Sequence, residues 1–270
     1  MKELKNRALV SFDGRCPYNC KHCYTYELEQ TNGVRTIDEI VESIADQDFD
    51  VIYVSQKREN FVVPEEGLEL CERLYQRYKC DIVAITRSVF DNLQLERLAT
   101  LHRAMSLNGH WLFVAVSVPA LQSAGLTEDL ACIPSPFERI SFIKRMYDKG
   151  LNSILVVRPL YPNQVIPIEE ILQIITLCEK KVSCVLSSGL ITNAPILRRL
   201  NVPDDLFEYR NDGVSDYLVG TIESDCKFID VRKEIKTIAN ECAKQKLPFF
   251  EHSMPALNHL KNEKRPLVIS

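Results

Sequence analysis

The chain has 270 residues, of which 46% are hydrophobic and 26% charged, so it holds enough apolar material for a sizeable buried core. Its formal net charge of −4 argues against a surface built to neutralise the phosphates of duplex nucleic acid. No apolar run reaches the length of a membrane-spanning helix or a secretion signal. We therefore expect a cytoplasmic protein with no membrane partner, whose ten cysteines remain reduced.

Short apolar segments alternate with longer segments of helical periodicity, which predicts six βα units joined into a parallel sheet. The strands are expected at residues 7–12, 50–55, 81–86, 111–118, 153–157 and 182–187. The helices of this part are expected at residues 36–46, 64–78, 91–106, 135–149 and 168–180. Beyond residue 190 the pattern fades, and it predicts only one further helix at 231–245 and a polar tail after Pro255.

This pattern predicts an α/β fold, a partial (β/α)6 TIM-like barrel of parallel strands with a C-terminal extension. The alternative is a doubly wound flat sheet. Both arrangements place a ligand at the C-terminal ends of the strands, so the expected position of the site does not depend on the choice between them.

Three cysteines lie close together directly after the first predicted strand. Cys16, Cys20 and Cys23 are separated by three and then two residues. Thiolates are soft ligands that suit iron–sulfur clusters, and three of them leave one iron of a four-iron cluster open. Structural zinc is the alternative, but it normally requires a closed set of four ligands, and the other cysteines form no CxxC pair. The spacing therefore favours a [4Fe–4S] cluster.

The triplet resembles the signature of the radical S-adenosylmethionine (radical SAM) superfamily. The resemblance implies that the open iron binds S-adenosylmethionine and that an external one-electron reductant drives its cleavage to a 5′-deoxyadenosyl radical. That radical would abstract hydrogen from a small or modest-sized substrate. His22, which precedes the third cysteine, takes the position that contacts adenine, with Tyr24 nearby. No side chain is assigned a catalytic role from the sequence.

The resemblance divides the chain into a barrel of residues 1–192 and an extension of residues 193–270 that packs on it and shapes the substrate site. After the second strand, the superfamily commonly has Gly-Gly-Glu, and this chain departs from it. Ser55 and Gln56 stand there instead and are expected to contact the cofactor. The charged residues that follow, 57–59, are interpreted either as part of the site or as a solvent-exposed loop.

Polar residues at the ends of later strands are further candidates for contacts with S-adenosylmethionine, since a polar group in a buried strand needs a partner. Ser117 and Arg158 are expected to touch the cofactor or to close an internal network. Ser188 is expected to lie near adenine or to form an ordinary turn. Thr86 and Ser88 are expected to satisfy local backbone groups.

The order of these segments is similar to the spore-photoproduct-lyase-like branch of the superfamily. This similarity implies an alternative function as a nucleic-acid or nucleotide lyase, which the acidic balance does not favour. Arg198, Arg199 and Arg210 are interpreted as phosphate contacts under that alternative and otherwise as solvated surface. A third hypothesis is a non-catalytic iron–sulfur or zinc-binding protein.

Overall fold

The computed structural model of the protein describes residues 5–27, 35–55, 57–210 and 226–263. Within them, seven strands form one parallel sheet and three shorter strands form an antiparallel sheet. The parallel sheet contains, in spatial order, β1 (Arg7–Val10), β2 (Val51–Val54), β3 (Asp81–Thr86), β4 (Leu112–Ser117), β5 (Asn152–Leu160), β6 (Cys184–Gly189) and β10 (Phe249–Phe250). The small sheet contains β7 (Ile191–Thr192), β9 (Lys227–Ile229) and β8 (Tyr209–Arg210).

The helices of the described residues are α1 (Ile37–Glu42), α2 (Pro64–Tyr78), α3 (Asn92–Leu107), α4 (Pro136–Asp148), α5 (Ile168–Leu177), α6 (Ala194–Leu200), α7 (Arg232–Gln245) and α8 (Ser253–Glu263). Short 3-10 turns occur at Tyr24–Glu27, Gln122–Leu126 and Asp204–Leu206. Among all these helices, none combines the length and apolarity that crossing a membrane requires.

Local signals in the sequence fix where several helices begin and end. Thr36 forms a capping box with Glu39, and Ser135 forms one with Glu138. Helix α1 is nevertheless shorter than predicted, because the Ser43 hydroxyl donates to the Ile40 carbonyl and the chain turns there. Helix α5 also ends early, since the backbone takes a positive φ shortly after it, at Glu179.

The two faces of the parallel sheet carry different partners, because alternate residues of a strand point to opposite sides. On the outer face, residues such as Val54 and Val114 pack with helices α1–α5 and α7 in one continuous apolar core. On the inner face, Tyr53 and Phe113 pack with Leu257 of α8. In a doubly wound sheet the crossover helices cover both faces, whereas here they all lie outside. The arrangement confirms the partial barrel.

The C-terminal residues contribute more to the barrel than the sequence predicts. Strand β10 pairs in parallel with β6, so the sheet has seven strands rather than the six expected. The prediction of a polar tail after Pro255 is wrong as far as Glu263, because α8 covers the inner face. Its Lys261 Nζ lies 2.6 Å from Asp81 Oδ2 in a buried ion pair. A two-residue strand and one polar-looking helix carry too little periodicity to be recognised in isolation.

Candidate cluster and cofactor site

The three cysteines of the triplet lie on the loop that follows β1, at the edge where the parallel strands end. Cys20 is buried with Tyr18 and Ile133 in a small apolar cluster, and Cys16 and Cys23 pack against that cluster. The Cys23 amide donates to the Cys20 carbonyl at 3.0 Å, which turns the loop between them. The fold thus brings together the three thiols that the sequence singles out.

The protein environment keeps at least two of these thiols protonated at neutral pH. Burial raises the pKa of Cys16, and it raises the pKa of Cys20 to about 11 although the charge of Arg87 opposes it. The Cys16 sulfur accepts from the Glu59 amide at 3.5 Å, and the Cys23 sulfur lies 2.9 Å from the Thr25 hydroxyl. Since thiolates are the metal ligands, a metal or cluster bound here must displace protons.

The three thiols can be compared with the donors that structural zinc and an iron–sulfur cluster each require. Within the described ranges, no three His, Cys, Asp or Glu side chains are disposed to hold a single metal ion. A closed tetrahedral zinc site needs four such donors around one centre. Three thiols facing one cavity fit a larger iron–sulfur cluster that keeps one iron without a protein ligand.

A cavity of about 270 Å³, here called the cofactor cavity, adjoins the cysteine loop and is lined by the ends of β2, β3, β5 and β6. Of the residues that the sequence suggests for cofactor contacts, those that line it are His22, Tyr24, Ser55, Arg158 and Ser188. Ser117 is absent from this lining and faces a neighbouring chamber. Gln56 lies outside the described residues. Contacts between these side chains and a cofactor stay predictions.

His22 is held in a fixed and neutral state. It is 8% exposed, and its Nε2 lies 3.2 Å from the Arg87 guanidinium. Burial, and then the charge of Arg87, lower the pKa of His22 to about 3. Because the guanidinium can only donate, Nε2 must accept, which leaves the proton on Nδ1. The Tyr161 ring meets the imidazole edge to face, with centroids 6.1 Å apart, and this completes its packing.

Glu59 is a buried residue of the site, so the interpretation of residues 57–59 as a solvent-exposed loop is wrong for it. Its carboxylate accepts from the Arg87 amide at 2.7 Å, the Thr86 hydroxyl at 2.9 Å and the Phe61 amide at 3.0 Å. Burial raises its pKa, although these donors oppose the rise. Glu59 thereby ties the loop after β2 to the end of β3, and its amide reaches Cys16.

A buried charge network lies behind His22, and it was not predicted from the sequence. Glu128 binds Arg87 Nε at 2.9 Å and also pairs with Arg139, and both Glu128 and Arg139 are fully buried. Arg139 Nη1 donates to the Ser117 carbonyl at 2.6 Å. Burial alone would raise the pKa of Glu128, but the charges of Arg139 and Arg87 outweigh it and the pKa lies below its ordinary value. The network fixes the guanidinium that holds His22.

Several polar side chains at the strand ends form hydrogen bonds with backbone groups of the protein. The Ser117 hydroxyl donates to the Arg158 carbonyl at 3.0 Å, which is the internal network foreseen as an alternative. The Ser55 hydroxyl accepts from the Asn60 amide at 3.0 Å while lining the cavity. Arg158 donates to the Glu251 carbonyl, just after β10. These bonds hold the rim of the cavity in shape.

Arg199 of α6 anchors the cysteine loop from the C-terminal part of the chain. Its guanidinium donates to the Lys21 carbonyl at 3.0 Å and to the Cys23 carbonyl at 2.8 Å. Arg199 is therefore neither a phosphate contact nor solvated surface, the two interpretations that the sequence suggests, because it binds the backbone of the cysteine loop. No local pattern marks this role, because the residues it joins lie 178 and 176 positions away.

Comparison with known proteins gives matches by structure alone. No protein-family model matches the sequence, and neither does any curated protein. SuiB of Streptococcus suis, bound to S-adenosylmethionine, matches with a TM-score of 0.60 and 12% identity over 93% of this chain and 51% of that chain. A variant of spore photoproduct lyase with bound S-adenosylmethionine and dinucleoside spore photoproduct matches with a TM-score of 0.59 and 12% identity, over 87% of this chain and 72% of that chain. The likeness shows that this chain shares the overall α/β fold of these two proteins.

The likeness at 12% identity concerns the fold, and this chain spans about half the length of SuiB. SuiB has also been solved with its precursor peptide SuiA, and that structure matches with a TM-score of 0.58 and 14% identity over 93% of this chain and 49% of that chain. The α/β partial-barrel fold predicted from the βα rhythm is thereby confirmed.

Proposed function

We propose that this chain is a radical SAM enzyme, which holds a [4Fe–4S] cluster on Cys16, Cys20 and Cys23 and binds S-adenosylmethionine at the open iron. One observation carries the proposal. Three thiols of one loop line a cavity at the C-terminal edge of a partial barrel, and the described residues form no closed site for a single metal ion. Proteins of the same fold have been solved with S-adenosylmethionine bound.

The reduced cluster would supply an electron that cleaves S-adenosylmethionine to a 5′-deoxyadenosyl radical, which abstracts hydrogen from the substrate. The protein's own residues bind and orient. The neutral His22 ring and Tyr24 line the cavity and would pack against adenine, and the planar guanidinium of Arg158 would bind the cofactor carboxylate. Ser55 and Ser188 offer hydroxyl groups to the same cavity. The surrounding barrel keeps water from the reacting atoms.

Three further properties belong to the proposal. A one-electron reductant from outside the chain would reduce the cluster, as the resemblance to the superfamily implies. The substrate is a small or modest-sized molecule, and residues 193–270 shape its site. The enzyme works in the cytoplasm, where thiols remain reduced.

The test is anaerobic reconstitution with iron and sulfide, followed by reduction in the presence of S-adenosylmethionine. We expect about four irons and four sulfides per chain, together with 5′-deoxyadenosine detected by chromatography and mass spectrometry. The Cys20→Ala variant should lose the iron and sulfide and should form no 5′-deoxyadenosine. Cys132→Ala is the matched control, because Cys132 is exposed and lies outside the triplet, and it should retain both.

Two outcomes would contradict the proposal in different ways. One zinc per chain without sulfide would assign the three thiols to a structural metal site. A full complement of iron and sulfide without any 5′-deoxyadenosine would leave a cluster-binding protein that is not an enzyme of this class.

A further inference from the structure

A second cavity of about 890 Å³ lies between the inner face of the sheet, the start of α8 and the small antiparallel sheet. We call this cavity the inner chamber. Ser55, Arg158 and Phe228 line both it and the cofactor cavity, so the two spaces meet at a common wall. The volume lies within the range of about 300–1,000 Å³ that is usual for small-molecule sites. A molecule in the inner chamber would therefore lie beside the cofactor.

The floor of the inner chamber is apolar. Val83, Ala115 and Leu186 project from the inner face of the sheet, and Leu257 of α8 closes the opposite side. These side chains offer no hydrogen-bonding groups, so the part of a ligand that lies against them must be apolar as well.

The polar part of the lining is strongly cationic. Among the described residues that line the inner chamber, the cationic side chains are Lys5, Arg7, Arg87, Arg158 and Arg210, whereas Glu251 is the only carboxylate. The whole chain has a net charge of −4, so this excess of positive charge is concentrated in the chamber and does not follow from the composition. Nearby carboxylates balance part of this positive charge. Arg87 forms an ion pair with Glu128, and the charge of Arg210 helps to lower the pKa of Asp230.

Two cations of this lining act on Tyr53. The Arg7 guanidinium lies 5.6 Å from the centre of the Tyr53 ring, and the Tyr53 hydroxyl donates to Ser253 Oγ at 2.8 Å. Burial raises the pKa of Tyr53, while its hydrogen bond to Ser253 and the positive charges of Arg7 and Arg158 oppose the rise. Register explains the meeting, because Arg7 pairs with Val51, which faces the inside, and so Arg7 shares that face.

We propose that the inner chamber takes an organic anion, whose carboxylate or phosphate is held by Arg7 beside Tyr53 and whose apolar body lies along Val83 and Leu186. A guanidinium is suited to either group, because both present paired oxygens to its planar fork. Arg158 adds positive charge from the common wall. This inference rests on the proposed function for its reaction, and it names the class of substrate that the reaction acts on.

The test measures binding to the full-length protein by calorimetry, without reduction or turnover. The probes are 3-phenylpropionate, phenyl phosphate and the neutral 3-phenylpropionamide. At least one anion should bind at least about tenfold more tightly than the amide, which corresponds to about 1.4 kcal/mol. The tighter of the two anions identifies the substrate group as a carboxylate or a phosphate.

Substitutions test whether the anion binds at Arg7. Arg7→Gln should remove the preference for the anion, and Arg7→Lys should retain part of it, because the charge remains but the fork is lost. Arg103→Gln is the matched control, since Arg103 is an exposed arginine of α3 that does not line the chamber. Circular dichroism confirms that each variant is folded, and Tyr53→Phe serves as a second probe of the same position should Arg7→Gln fail to fold.

The inference is overturned if neither anion binds more tightly than the amide, or if the preference survives in Arg7→Gln. Its failure is separable from that of the proposed function, because formation of 5′-deoxyadenosine is measured independently. Anion binding without 5′-deoxyadenosine would retain the inference and reject the reaction. The reverse result would retain the reaction and reject the organic anion.

Discussion

The two ends of the barrel interior are held by different forces. At the cysteine loop, charged groups share partners: Glu128 bridges Arg87 and Arg139, and Arg87 in turn holds His22. At the other end, α8 lies on the inner face through apolar contacts, with one buried ion pair between Lys261 and Asp81. Removing a charged side chain that has two buried ionic partners should lower the free energy of unfolding more than removing one that has a single partner. The reason is that two buried charges, rather than one, then lack a counter-charge. The cofactor end should therefore be the more sensitive to single substitutions.

The largest effect is expected from Glu128→Gln, which leaves the guanidinium groups of Arg87 and Arg139 without their buried counter-charge. The free energy of unfolding should fall by about 3–5 kcal/mol, measured by urea denaturation. Glu179→Gln is the control, because Glu179 pairs with Lys144 at the surface and is 63% exposed. Such a pair contributes about 0–1 kcal/mol. Equal losses in the two variants would show that the network does not stabilise the site.

A smaller effect is expected at the other end from Lys261→Met, which leaves the buried Asp81 carboxylate with the Trp111 amide, 2.8 Å away, as its remaining strong donor. We expect a loss of about 2 kcal/mol in the free energy of unfolding. Adding Asp81→Asn should recover part of that loss, because the uncompensated charge is gone. A double variant as unstable as the sum of the two single variants would argue against a direct pair.

The smallest change in stability, about 1 kcal/mol, is expected from Arg199→Ala, since Arg199 is only partly buried. The substitution should change cluster binding more than it changes the free energy of unfolding. Losing the bonds to the Lys21 and Cys23 carbonyls frees the loop, so reconstituted protein should retain less iron and show an altered electron paramagnetic resonance signal. Arg198→Ala, which changes the exposed neighbouring arginine, is the control and should behave as the unaltered protein. An unchanged signal in Arg199→Ala would reject the anchoring role.

Most of the barrel could be predicted because its signals are local. A strand such as β3 (Asp81–Thr86) and a helix such as α2 (Pro64–Tyr78) have the bounds that the periodicity indicates. The capping boxes at Thr36 and Ser135 mark helix starts within four residues of sequence. The cysteine triplet is equally local, since its three thiols lie on one short loop.

The remainder of the site was decided by tertiary structure, because it consists of partners that are distant in sequence. Glu59 reads as one charge among several in a polar segment, and only the fold buries it beneath the end of β3. Lys261 and Asp81 are 180 positions apart, and neither is unusual in its own segment.

The sequence by itself determined the βα rhythm, the placement of the cysteines after β1 and the strand-end positions of the polar candidates. Only the tertiary structure decided which face the helices cover, which arginine anchors the loop and where positive charge collects inside the barrel. The physical reason is the distance in sequence between interacting residues. Hydrogen bonds along a helix or a turn join residues a few positions apart, whereas a buried charge needs a partner that can come from any part of the chain.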